Sequence, residues 1–297
     1  MSASLPIASL RQVHKRYGAV TALDGMELDL RRGELLAMLG SNGAGKTTAL
    51  GVLTGRLCAD AGEVKLFGAD PKDAAVRRRI GVMLQEARLP DTLRVQELVH
   101  QFSCYYPQPR PLQETLALAG LSALARRAYG ALSGGQQRRV QFALAICGCP
   151  ELVFVDEPTS GLDVEARRAF WQVIQCLRDA GTSIVLTTHY LEEADALADR
   201  VVLIANGRVL AEDTPAGLKA RARSARIRCV TQLSLTELLS IPGVQSAEAQ
   251  GSCRSLRCDD SDQVLRRLLA RDPSVSGIEI RPLSLEDAFL TLTGEAA

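Results

Sequence analysis

The sequence predicts an α/β fold built on a largely parallel sheet, and three observations lead there. Short apolar runs alternate with amphipathic stretches of helical period. One such run, Leu35 to Leu39, leads without a break into the glycine-rich segment 40–48. Another, Leu152 to Val155, ends in Asp156-Glu157, and the carboxyl ends of parallel strands are where such folds bind ligands. The composition permits a packed core: of 297 residues, 46% are hydrophobic and 23% charged, close to the globular norm.

In chain order, Ile7 to Val13 reads as a strand, and Met26 to Leu30 alternates like a half-buried one. After the turn at Arg31 to Glu34 comes the buried strand Leu35 to Leu39, and a helix should follow the glycine-rich segment to about Thr54. Glu63 to Leu66 and Ile80 to Leu84 read as strands. From about 92 to 135 the pattern becomes helical, with Thr92 to Phe102 and Leu112 to Leu118 separated by Pro107, Pro109 and Pro111. Gln136 to Cys147 is a strong helix, with Val140, Ala143, Leu144 and Cys147 on one face. Then come the strand Leu152 to Val155, a helix Glu165 to Asp179, a strand Ser183 to Thr187 and a helix Leu191 to Ala198. Asn206-Gly207 joins Val201 to Ala205 and Arg208 to Ala211 as a hairpin. Beyond Pro215 the segment Lys219 to Arg228 reads as a boundary. It is followed by strand-, helix- and strand-like stretches in the order β-α-β-β-α-β, the ferredoxin-like pattern. The expected division is therefore a large domain over 1–218 and a small α+β domain over 219–297, closed by a helix starting at Ser284.

Charge and cysteine content narrow the function. Lysine plus arginine is 35 against 34 acidic residues, a net charge of +1, which gives no support to a nucleic-acid partner. No apolar run approaches the ~18–20 residues that cross a bilayer, and Met1 to Leu10 lacks the layout of a signal peptide, so a soluble intracellular chain is expected. The eight cysteines match neither a zinc spacing nor a redox pair and read as free thiols. The run Arg77 to Arg79 reads as a solvated face.

The chemistry sits in a few segments. Residues 40–47, Gly40-Ser41-Asn42-Gly43-Ala44-Gly45-Lys46-Thr47, fit the P-loop pattern G-x-x-x-x-G-K-[ST], and Thr48 follows. Its glycines let successive N–H groups turn toward phosphate oxygens, and the next helix adds its positive end. Lys46 is placed to reach the β- and γ-phosphates of ATP, and the Thr47 hydroxyl to ligate Mg²⁺. Asp156 is a second Mg²⁺ candidate, and Glu157 can polarise a water. These make the chain a candidate P-loop NTPase.

Between the two lies Leu132-Ser133-Gly134-Gly135-Gln136-Gln137-Arg138. With this segment the chain resembles the ATP-binding cassette (ABC) family, whose signature is L-S-G-G-Q, over roughly residues 5–215. The resemblance implies an ABC ATPase fold and assigns further roles. Tyr17 would stack on adenine. Gln85 would be the glutamine that touches Mg²⁺ and the catalytic centre, His189 the switch histidine, and Ser160 to Asp163 the D-loop. Ser133, Gly134, Gly135 and Gln136 would contact ATP held by the opposite subunit, so two cassettes, as a homodimer or with a homologous chain, would pair head to tail. The permease would be a separate membrane polypeptide whose coupling helix meets the cleft near Gln85, holding this chain to the cytoplasmic face of the membrane. The ending Leu283 to Gly294 resembles that of type-2 ABC exporter ATPases, the drug, antibiotic and sodium efflux group. An importer subunit is the alternative, with a soluble cassette acting on nucleic acid or ribosomes behind it.

Overall fold

The structure is a computed structural model. It describes residues 6–85, 87–221, 225–251, 253–258 and 260–282. The chain divides into two compact units, Met1–Glu212 and Asp213–Ala297.

The larger unit holds two sheets. β1 (Ala8–Tyr17), β2 (Val20–Leu30) and β4 (Ala61–Leu66) form an antiparallel sheet in the order β2-β1-β4. β3 (Leu35–Leu39), β5 (Ile80–Met83), β6 (Leu152–Asp156), β7 (Ser183–Thr188), β8 (Arg200–Ala205) and β9 (Arg208–Asp213) form the central sheet in the order β5-β6-β7-β3-β8-β9. The pairings from β5 through β8 are parallel. β8 and β9 are joined by the two-residue turn Asn206-Gly207, whose φ angles of 50° and 72° are those of a tight hairpin turn.

The parallel strands are buried on both faces, which is why they read as continuous apolar runs. Alternate residues feed different cores. Val153, Val155, Ile184 and Leu186 join the helices of the insert on one face. Leu152, Phe154, Val185 and Met38 join the antiparallel sheet on the other. The insert helices are Val95–Ser103 and Leu112–Leu118, and the long helix Gly134–Ile146 packs under them.

Sequence and structure differ in instructive places. β1 extends to Tyr17 and β2 starts at Val20, because their register shifts let polar residues such as Lys15 stay in the ladder. The helix expected from Gln136 begins at Gly134, because Ser133 and Gln136 form a reciprocal cap. The two compact units divide between Glu212 and Asp213, a little before the domain division expected after 218. Thr214 accepts from the Gly217 N–H at 3.0 Å, and Pro215 opens a helix to Arg221 where a boundary was expected.

The arginine run is not uniformly solvated. Arg79 stacks on the Phe67 ring at 3.7 Å and donates to Glu151 at 2.6 Å, and Arg32 reaches the other Glu151 oxygen at 2.7 Å. Arg77 bonds the Gly55 carbonyl at 3.0 Å.

The Arg79 bond, then Arg32, draws the Glu151 carboxyl down from its ordinary 4.5 to about 2. The folded value lies below the unfolded one. Stability from this cluster is therefore present above pH 4.5 and lost as pH falls toward 2. The carboxylate is 38% exposed, so solvent screening limits the effect to about 1 kcal/mol. Arg79→Ala should flatten the acid limb of a stability–pH curve in that window and leave neutral pH less affected than Arg200→Ala does. An unchanged acid limb would remove the cluster from the account.

In the smaller unit, β10 (Ala225–Val230), β11 (Val244–Gln250), β12 (Cys253–Cys258) and β13 (Ser276–Pro282) form an antiparallel sheet in the order β11-β12-β10-β13. Helices Leu235–Leu239 and Ser261–Arg271 fall between them in the β-α-β-β-α-β order. Ile227, Cys229, Leu256 and Cys258 form its core with Leu238, Val264 and Leu268. The expected final helix at Ser284 lies outside the described residues. All eight cysteines are free thiols, and Cys147, Cys229 and Cys258 are buried. Among the described residues no helix is long and apolar enough to cross a membrane.

Candidate nucleotide site

The site forms where β3, β6 and β7 end together. Beyond Leu39 the chain must turn back over the sheet with almost no room. A Cβ on Gly40 would stand 2.4 Å from the Ile204 carbonyl oxygen. One on Gly45, where φ is 108°, would stand 2.6 Å from that of Ala22. The hairpin turn braces the loop from the side, with the Gly207 N–H donating to the Ala44 carbonyl at 3.0 Å. Gly45 precedes the helix Lys46–Leu53 and no side chain caps that helix. Its first N–H groups are therefore left for an anion.

Lys46 is 5% exposed, and its Nζ donates to the Gly40 and Ser41 carbonyls at 2.7 and 3.1 Å. Burial pulls its pKa below the usual lysine value, while Glu157 and Asp156 pull the other way. Thr47 Oγ1 lies 3.4 Å from Asp156 Oδ1, and Thr187 donates to the same aspartate oxygen. The two hard oxygen ligands expected for Mg²⁺ thus stand side by side, with Asp156 1% exposed.

Glu157 follows in a left-handed backbone conformation, φ 45°, that non-glycine residues seldom adopt. Its N–H donates to the Thr187 carbonyl at 3.0 Å and lies 3.1 Å from the Thr187 hydroxyl. Its carboxylate accepts from Gln85 Nε2 at 3.2 Å and lies 3.3 Å from His189 Nδ1. The turn aims the side chain into the cleft instead of along the strand.

A cleft of about 620 Å³ brings together Tyr17, Asn42 to Thr48, Gln85, Glu157 and His189. Val20, Ala22 and Ser160 also line it. The first two had no motif to mark them. Gly40, Ser41 and Asp156 are not among the lining residues; Gly40 and Asp156 are buried and Ser41 is exposed. Tyr17 is 48% exposed at the mouth, free to lie against a planar base.

Ser133, Gly134, Gly135 and Gln136 are not in this cleft, and neither is Asp163. Ser133 caps the helix Gly134–Ile146, with its hydroxyl 3.4 Å from the Gln136 N–H and its own N–H 3.1 Å from Gln136 Oε1. Gly134 has open space where a Cβ would be. Asp163 caps the next helix, Val164–Asp179, accepting from the Ala166 N–H at 2.7 Å.

A phosphate-binding loop, paired oxygen ligands and a clamped glutamate at the ends of parallel strands define a P-loop nucleotide-hydrolysing site. The family model described as ABC transporter matches residues 23–160. The Nod factor export ATP-binding protein I of Ralstonia nicotianae is 34% identical, over 98% of this chain and 95% of that protein. The daunorubicin/doxorubicin resistance ATP-binding protein DrrA of Streptomyces peucetius is 35% identical, over 95% of this chain and 91% of that protein. Among solved structures, the dimeric post-hydrolysis state of the cassette MJ0796 bound to ADP and Pi aligns with TM-score 0.64 at 26% identity. It covers 70% of this chain and 98% of that one. The chain belongs to the ABC transporter family, as an ATP-binding, ATP-hydrolysing subunit.

Proposed function

We propose that this chain drives export, as one of two cassettes paired head to tail on a separate membrane permease. The observation that carries the pairing is the split of the motifs: the cleft holds the P-loop, Gln85, Glu157 and His189 but none of the signature residues. In this reading Ser133 to Gln136, at the positive end of their helix, and Asp163 serve a cleft on a second cassette. Export is favoured because relatives named for export or drug resistance match 95–98% of this chain and so include its smaller unit.

Within one cleft, Tyr17 supports the base and residues 40–48 wrap the phosphates. Thr47 and Asp156, with the Gln85 amide, would hold Mg²⁺, which neutralises charge on the phosphate oxygens. Glu157 takes a proton from the attacking water, and His189 holds its carboxylate in line and senses the γ-phosphate side of the cleft. Closing on ATP and opening after hydrolysis transmit work to the permease at the cytoplasmic face of the membrane.

The chain should retain its permease when purified from native membranes under mild detergent, and the Glu157→Gln variant with ATP should retain it more firmly. Recovery of the chain with no integral membrane protein under either condition would reject the transporter reading.

A further inference from the structure

One side chain ties the signature helix to the glutamate of its own cleft. Arg138 lies on the first turns of the helix Gly134–Ile146, half-buried. Its Nη1 lies 2.9 Å from the Leu84 carbonyl oxygen, 2.6 Å from that of Gln85 and 3.1 Å from Gln141 Oε1. Its Nη2 donates to the Glu157 carbonyl at 2.9 Å. One guanidinium therefore spans three segments: the helix that carries Ser133, the loop that carries Gln85, and the turn that carries Glu157.

The Glu157 contact matters because of that residue's backbone. Its φ of 45° is held from one side by Thr187, which receives the N–H. Arg138 holds the other side through the carbonyl. A peptide in an uncommon conformation relaxes when its anchors are removed, and relaxation here would swing the carboxylate away from Gln85 and His189. Gln141, one turn further along the same helix, also donates to the Ala87 carbonyl at 3.3 Å, so the helix and the Gln85 loop are attached at two points.

We propose that Arg138 is a positioning residue that makes the alignment of Glu157 depend on the seating of the signature helix. Ser133 sits five residues before it on the same rigid element. A ligand that engages Ser133 from a second cassette thus bears, through Arg138, on hydrolysis in this chain's own cleft. An arginine is required because its planar fork offers donors in two directions at once, toward the Gln85 loop and toward Glu157; a lysine ammonium cannot span both.

The inference rests on Glu157 as the catalytic carboxylate, and the test separates the two. ATP hydrolysis by the full chain is measured for Arg138→Met and Arg138→Lys, each alone and combined with Glu157→Gln. Arg138→Met should lower kcat about 10- to 100-fold, the scale of a misplaced catalytic group. KM for ATP should stay within about twofold, since no phosphate contact is lost. Arg138→Lys should also fall below the wild-type kcat. Neither should slow the residual hydrolysis of the Glu157→Gln chain, because the group they position is gone. An unchanged kcat in Arg138→Met, or an equal fold-loss with and without Glu157, overturns the proposal. Should Arg138→Met fail to fold, Arg138→Lys decides alone, and wild-type kcat in that variant overturns it. Wild-type turnover by Glu157→Gln by itself would reject the role of Glu157, whatever the Arg138 variants do.

Discussion

Glu157→Gln should nearly abolish steady-state ATP hydrolysis while leaving ATP binding intact. The amide keeps the size of the carboxylate and can still bond Gln85 and His189, which stand 3.2 and 3.3 Å from its oxygens. It cannot take a proton from water. General-base catalysis is worth on the order of 10²–10⁴-fold, and kcat should fall by that factor. The nucleotide contacts of Lys46, Thr47 and the loop backbone remain, so KM should change little. With closure intact and its reversal blocked, the variant should also accumulate as an ATP-dependent dimer in size-exclusion chromatography with light scattering. A variant that hydrolyses ATP normally would show that another group activates the water.

Arg200→Ala should cost about 3–5 kcal/mol, the usual penalty for stranding a buried charge. Arg200 begins β8 and is 6% exposed. It bonds both oxygens of Glu34, which is 8% exposed, as well as Glu212 and the Asp29 carbonyl. Glu34 also receives the Arg31 N–H at 2.5 Å. The cluster joins β2, the turn before β3, and the β8–β9 hairpin at the end of β3 opposite the P-loop. Removing the arginine leaves Glu34 with one backbone donor and no counter-charge. Since whole domains are stable by about 5–15 kcal/mol, a loss of this size should be plain in the urea transition of the larger unit. The pair replacement Glu34→Leu with Arg200→Met should cost much less, because no charge is then stranded. A loss below about 1 kcal/mol in Arg200→Ala would mean that water reaches Glu34 after all.

Much of the cleft was legible in the sequence because its chemistry is local. The P-loop is contiguous, so residues 40–48 carry their turn, their lysine and their helix start in one window. Asp156-Glu157 was legible because an apolar run ends there. The parallel strands were legible for the same reason that they are buried on both faces.

What escaped has long-range causes. Nothing near Glu34 or Arg200, 166 residues apart, announces their bond. The motif marks Gly40 and Gly45, but the carbonyls of Ile204 and Ala22 that leave no room for a Cβ at either come from distant segments. Arg138 reads as one more polar residue after the signature, and its partners are backbone carbonyls, which no sequence pattern marks. The helix Pro215–Arg221 is equally hard to see, because the arginine-rich composition from Lys219 onward hides the start at Thr214 and Pro215.

The signature residues are a different case. The resemblance assigns Ser133 to Gln136 to ATP held by an opposite subunit, and they and Asp163 lie outside this chain's own cleft. That separation is the core of the functional account, and complementation between two broken chains tests it most directly. Lys46→Ala loses the phosphate loop but keeps the signature. Ser133→Arg loses the signature but keeps the loop. Each variant alone should be inactive in ATP hydrolysis. Mixed, they should regain activity, because the mixed pair contains one cleft with both halves intact. If the mixture stays inactive while wild-type chains are active, or if Ser133→Arg alone hydrolyses ATP at the wild-type rate, the cleft is complete within one chain and the head-to-tail account is wrong.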